Sequence, residues 1–195
     1  VYGQPVVFSA AVQADGATAA GATGKVVFSV NGSPVETNAV SSGVAFYTNR
    51  IFSAGTYTLQ ASYSGDNTFT ACSNSLTHGV SKAGSTVTYS GSSFVYTGSP
   101  QGPAIMFSGS TGAKTTNYLG TGGTVYAGQV PPAQVGSYLV TNTVAADANY
   151  LGTNTWFAFA IIAQMPIQFT NTVWLGAGGG LQLSGTGPAG QTWRL

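Results

Sequence analysis

The sequence predicts an all-β chain of small antiparallel sandwiches in series. Three observations carry that prediction. Apolar residues recur with period two in short runs, turn residues separate the runs at strand-length spacing, and one run-and-turn pattern occurs twice. Of the 195 residues, 43% are hydrophobic, 28 are Gly and only 5% are charged. Gly, Thr, Val, Ser and Tyr dominate, and these disfavour helix or favour strand.

Taken in order, every second residue is apolar in Val6-Phe8-Ala10-Val12, Val26-Phe28-Val30, Tyr57-Leu59-Ala61-Tyr63 and Tyr138-Val140. Between such runs lie Asp15-Gly16, Asn31-Gly32-Ser33-Pro34, Ser42-Gly43, Ser64-Gly65-Asp66-Asn67 and Thr121-Gly122-Gly123. Strands and turns at this spacing mean a sandwich or barrel. Asn31-Gly32 predicts a tight hairpin turn, since both residues tolerate positive φ.

The repeat is specific. Gly55, Tyr57, Tyr63, Asp66 and Phe69 align without a gap with Gly136, Tyr138, Val144, Asp147 and Tyr150, always at a spacing of 81 residues. The chain therefore reads as 1–82, a first β-sandwich, 85–163, a second, and 166–195, an incomplete C-terminal β module. Gly-x-Tyr before an alternating strand fits a tyrosine corner, in which the hydroxyl bonds back to the backbone. Asp66 and Asp147 precede an aromatic residue by three and suit turns, where Asp bonds forward to its own backbone. Gly55, Tyr57, Asp66, Gly136, Tyr138 and Asp147 are thus the candidate site residues, and their role is structural.

The sequence offers little chemistry. His78 is the only His and Cys72 the only Cys. On one strand, six residues apart, they would be about 20 Å apart, too far for a nucleophile and its base. Cys72 reads as a small buried apolar residue, and His78 as a polar residue near the junction between modules. Asp15, Glu36, Asp66 and Asp147 are the only acids. No two lie close enough in sequence to suggest a carboxylate pair or a calcium site, and no Cys/His cluster suggests zinc. Gly176–Gly180 lacks the ending of a phosphate loop and reads as a hairpin turn. The reading is of no enzyme, no cofactor and no metal. Lys25, Lys82 and Lys114 have no obvious acid beside them for an isopeptide crosslink.

A net charge of +1 excludes a strongly basic nucleic-acid binder. The longest apolar run, Trp156 to Ala163, has eight residues, against about 18 for a bilayer-spanning helix. The N-terminus has neither a charged region nor an apolar one, so the sequence reads as a mature or excised piece of a longer protein. Trp156 is expected to pack in the core or at a junction. Tyr118, Tyr126 and Trp174 are the loop aromatics that could stack on a sugar, with Trp193 a further candidate.

Tyr2-Gly3-Gln4-Pro5-Val6, Ser53-Ala54-Gly55-Thr56-Tyr57 and Tyr63-Ser64-Gly65-Asp66-Asn67-Thr68-Phe69 resemble bacterial Ig-like repeat domains. The second unit, with Tyr96-Thr97-Gly98, Val135-Gly136-Ser137-Tyr138 and Ala146-Asp147-Ala148-Asn149-Tyr150, is similar to the related MBG type. The resemblance covers about residues 1–163. It implies tandem Ig-like antiparallel β-sandwiches in a large bacterial surface or secreted protein, with an extracellular or cell-surface location. It implies a structural, non-catalytic role as a rod or stalk, or as a filament subunit, with neighbouring domains or other copies as partners. Antibody domains carry a Cys two residues after the corner Tyr; here Leu59 and Val140 imply apolar packing instead. Ser85–Tyr89 precedes the second unit without a counterpart in the first. Two readings are open: strand completion between copies, residues 166–195 of one docking on 1–81 of the next, or ends that merely reflect where the sequence starts and stops. The alternative class is an adhesin or carbohydrate-binding module recognising surface glycans.

Overall fold

In the computed structural model, the described residues are 1–49, 51–165, 168–174 and 181–186. Every regular element among them is a strand.

Residues 1–81 contain β1 (Val6–Ala11), β2 (Gln13–Ala14), β3 (Ala17–Thr18), β4 (Lys25–Val30), β5 (Ser33–Ala39), β6 (Val44–Asn49), β7 (Gly55–Tyr63) and β8 (Cys72–Val80). One layer is a four-stranded sheet in the order β5-β4-β7-β8, the other the pair β1-β6, and β2-β3 is a small hairpin. All these pairings are antiparallel. The turn between β4 and β5 has φ of 49° at Asn31 and 80° at Gly32, the two positive values a tight primed turn requires. Asn31 also reaches sideways, its Oδ1 accepting the Thr58 N–H at 2.9 Å.

Period-two alternation sorts side chains to one face of each strand. Val26, Phe28, Leu59 and Tyr63 point inward from the larger sheet and Ala45 and Tyr47 from the smaller, with Val12, Val40, Phe52 and Val80 completing the buried cluster. The Tyr47 ring stacks on Phe28 (5.7 Å) and Phe8 (5.9 Å).

The later strands are β9 (Thr86–Ser90), β10 (Ser93–Val95), β11 (Ala104–Ser108), β12 (Lys114–Thr121), β13 (Ala127–Gly128), β14 (Gly136–Val144) and β15 (Thr153–Ile162). A five-stranded sheet has the order β10-β15-β14-β12-β13, and β11-β9 is a separate pair. The β10–β15 pairing is parallel. Tyr118, Tyr138, Val140, Phe159 and Ile161 form the buried cluster here. Beyond them, β16 (Gln168–Trp174) and β17 (Leu181–Thr186) pair antiparallel with each other.

The chain divides into two compact units. One comprises Val1–Thr88, Met106–Thr115 and Asn142–Thr155; the other comprises Tyr89–Ile105, Thr116–Thr141 and the described residues from Trp156 on.

Several expectations are corrected. Cys72 is exposed. It lies on the inward-facing row of β8, opposite Tyr63, but lines an open groove between β8 and β1. Trp156 is 68% exposed, because alternation that turns Phe157, Phe159 and Ile161 inward turns Trp156 out. Tyr118 is buried. Tyr126 is half-buried, its ring edge-on to Tyr138 at 5.9 Å and its hydroxyl donating to the Val130 carbonyl at 2.6 Å. These two tyrosines are core residues and not loop-tip aromatics. Gly176–Gly180 and Trp193 lie outside the described residues.

Candidate functional site

The six residues singled out by the repeat form two constellations of the same build, each a tyrosine folded back on its own chain and an aspartate closing a turn.

Tyr57 donates its hydroxyl to the Ser53 carbonyl at 2.9 Å, and Tyr138 to the Gln134 carbonyl at 2.7 Å, four residues back in both cases. Each Tyr ring passes over the preceding glycine. A Cβ on Gly136 would stand 2.6 Å from Cγ2 and 2.7 Å from Oγ1 of Thr124 and 3.1 Å from the Tyr138 hydroxyl, so any side chain there must displace Thr124. Gly55 is open, with nothing nearer than the Tyr57 hydroxyl at 3.8 Å. The corners also differ in burial: Tyr138 is 1% exposed, whereas Tyr57 is half-buried. Burial pushes the Tyr138 phenol above its ordinary pKa, and nearby Tyr126 adds to the shift.

The aspartates make non-local contacts as well as local ones. Asp66 Oδ1 accepts the N–H groups of Thr68 and Phe69, both at 2.7 Å. Its Oδ2 accepts the Thr23 N–H at 2.6 Å and the Thr23 hydroxyl at 3.0 Å. Asp147 Oδ1 accepts the N–H groups of Asn149 (2.9 Å) and Tyr150 (2.8 Å), and Oδ2 those of Thr111, N–H at 2.8 Å and hydroxyl at 3.1 Å. Each carboxylate thus joins the turn before the last long strand to a Thr-Gly turn earlier in the chain. The Thr23 N–H, followed by those of Phe69 and Thr68, holds the Asp66 carboxyl well below the usual carboxylate range, against a smaller opposing effect of burial. For Asp147 the Thr111 N–H is the main cause, opposed by burial and reinforced by Asn149 and Tyr150.

Sequence reasoning missed Thr23 and Thr111. A signal exists: Thr23-Gly24-Lys25 and Thr111-Gly112-Ala113-Lys114 both open the strand that pairs with the tyrosine strand.

A further cluster lies within the first compact unit. The Ala54 N–H donates to Asn149 Oδ1 at 2.9 Å, and the Ala83 N–H to the Asn149 carbonyl at 2.9 Å. Leu151 N–H returns to the Ala83 carbonyl at 2.8 Å, Lys82 Nζ donates to the Asp147 carbonyl at 2.6 Å, and Tyr2 meets Tyr150 edge-on at 5.4 Å. The Asp147 turn therefore holds the segment Lys82–Ala83 as well as its own loop.

The other reactive groups are engaged in packing or turns. His78 sits edge-on to Phe8 at 5.4 Å and tilted to Phe52 at 6.3 Å. Glu36 accepts from Asn38 Nδ2 at 2.7 Å. Asp15 takes a positive φ of 51° in the β2–β3 hairpin. Lys114 lies over the Phe107 ring at 5.5 Å. Among the described residues no group of three or more His, Cys, Asp or Glu could hold a metal ion. Nor is any helix among them long and apolar enough to cross a membrane.

These features define a class, the Ig-like β-sandwich. Residues 1–81 match the family model described as "Bacterial Ig-like domain (group 3)". A solved structure of fibronectin(III)-like modules of CbhA from Clostridium thermocellum is 15% identical, with a TM-score of 0.31, over 83% of this chain and 87% of that one. None of the curated proteins matches the chain.

Proposed function

We propose that the chain is a structural, non-catalytic part of a bacterial surface or secreted protein. In this reading residues 1–82 and 85–163 are Ig-like modules in series, the second of MBG type, and residues 166–195 are part of a further module. The chain acts as a spacer or stalk outside the cell, and its partners are neighbouring domains of the same protein.

The observation that carries this reading is the duplicated constellation of Tyr57 with Asp66 and Tyr138 with Asp147. Half of the chain's four acids are occupied by backbone donors in equivalent turns. A carboxylate so occupied is poorly placed to act on a substrate, whereas it is well placed to fix a loop. The hydrogen bonds joining Lys82–Ala83 to Asp147–Leu151 favour a spacer, because they tie down the backbone where the proposed modules meet.

Negative-stain electron microscopy with sedimentation of the whole chain tests the proposal. Monodisperse, short, two-lobed particles support the spacer. Regular filaments would overturn it in favour of an assembly subunit. A second reading, glycan recognition, has one observation behind it, the exposed indole of Trp156. Titration of Trp fluorescence with bacterial and plant polysaccharides, against a Trp156→Ala variant, decides it.

A further inference from the structure

Asn149 does more than its turn requires. At the spacing of 81 residues it aligns with Thr68. The two backbone N–H groups do the same work, each donating to Oδ1 of its aspartate, Thr68 at 2.7 Å and Asn149 at 2.9 Å. The first turn closes with a Thr at this place, so the carboxamide of Asn149 is not needed to close the second. Its Oδ1 instead accepts the Ala54 N–H at 2.9 Å, 95 residues away, in the segment that leads into β7.

Two further contacts run the same way. Lys82 Nζ donates to the Asp147 carbonyl at 2.6 Å, and the Tyr2 ring meets that of Tyr150 edge-on at 5.4 Å. Between them Ala83 is engaged through both of its backbone polar groups. Its N–H donates to the Asn149 carbonyl and its carbonyl accepts from Leu151, so the connecting segment is held as a single parallel bridge beside Tyr150. The compact unit that contains Val1–Thr88 accordingly takes in Asn142–Thr155 as well.

We propose that the Asp147 turn is a coupling element: through Asn149, Lys82 and Tyr150 it makes residues 1–82 and 85–163 unfold as one cooperative unit instead of as two independent modules. This deepens the spacer reading and rests on its division into modules, whose default without such contacts is independent motion. An ordinary hydrogen bond or an aromatic edge contact shifts an equilibrium about fivefold. The contacts of Ala54 with Asn149, Lys82 with Asp147 and Tyr2 with Tyr150 then multiply to about a hundredfold. For modules of similar stability, that keeps the half-folded chain below about a tenth of the population at the unfolding midpoint. With the Asn149 and Lys82 contacts removed, about fivefold coupling is left and the half-folded chain rises to about a third.

The test is a urea titration of the full chain followed residue by residue by NMR, with Leu59 reporting one buried cluster and Val140 the other. In the native chain the two signals are lost together. In the double variant Asn149→Ala, Lys82→Met they separate. The readout is the coincidence of the two losses, so a general drop in stability does not imitate it. Separate losses in the native chain overturn the proposal. Coincident losses in the double variant overturn it too, and amide exchange at Ala54 then distinguishes two causes. Exchange about fivefold faster than in the native chain means that the contact is real and the two stretches are not separate modules. Unchanged exchange means that the contact itself does not hold in solution.

Discussion

The hydroxyl of Tyr63 lies 2.9 Å from Oδ2 of Asp66 and 2.6 Å from the carbonyl of Thr23, sharing its single proton across the two sides of the first aspartate turn. Burial, then the neighbouring carboxylate, pushes the Tyr63 phenol above its ordinary pKa. The second turn is built differently. Val144 aligns with Tyr63, and the bridging hydroxyl is that of Ser110, which donates to the Ala145 carbonyl at 2.6 Å and accepts the Gly112 N–H at 3.0 Å. Tyr63→Phe is therefore expected to loosen the first turn only. In amide-exchange measurements the Thr23 N–H speeds up while that of Thr111 does not.

Acid should weaken both turns. The carboxyls of Asp66 and Asp147 titrate lower in the folded chain than the unfolded value of about 3.9. The folded state thus binds fewer protons, and the stability these groups supply is fully present above about pH 4 and lost as pH falls below it. Asp66→Asn and Asp147→Asn lower the melting temperature at pH 7 and flatten its fall between pH 5 and pH 2. Melting curves on the two variants and their double mutant check this.

The two tyrosine corners should respond unequally to removal of a hydroxyl. Tyr138→Phe removes a hydrogen bond made by a ring that is 1% exposed, a loss of about 1 kcal/mol. Tyr57→Phe costs less, because the Tyr57 ring is only half-buried and water already competes for its hydroxyl. Equal losses in denaturant titrations of the two variants would contradict the difference in burial.

Gly136→Ala forces a methyl group against Thr124. Overpacking of this kind costs about 1–3 kcal/mol, and Thr124→Ser, which removes Cγ2, recovers part of it. The same denaturant titration reads both effects.

Asn149→Ala removes the acceptor of the Ala54 N–H. Exchange at Ala54 then speeds up, while Thr111 stays protected, because Asp147 holds it independently of the Asn149 side chain.

Much of the constellation is legible in the sequence because its contacts are short-range. A tyrosine reaching four residues back and an aspartate reaching two and three forward leave their spacing in the chain. The Thr23 and Thr111 contacts, 43 and 36 residues away, leave no such spacing. Cys72 lies on an inward-facing row yet is exposed, since alternation gives the direction of a side chain but not the presence of a layer opposite it. In Trp156-Phe157-Ala158-Phe159 four apolar residues in a row hide the period, so the outward position of Trp156 cannot be told from its neighbours. Likewise, Tyr118 and Tyr126 adjoin Gly-rich turns that suggest loop tips, yet their rings pack with Tyr138 and Phe159 in the buried cluster.

The central claim is that each of two equivalent aspartate turns fixes its own loop to a distant Thr-Gly turn, independently of the other. Amide exchange of the native chain at pH 7, resolved by residue, tests it most directly. The account predicts slow exchange at Thr23, Thr68 and Phe69, and at Thr111, Asn149 and Tyr150. Asp66→Asn should release the first set alone, and Asp147→Asn the second alone. Fast exchange at either set in the native chain, or release of both sets by one substitution, would contradict it.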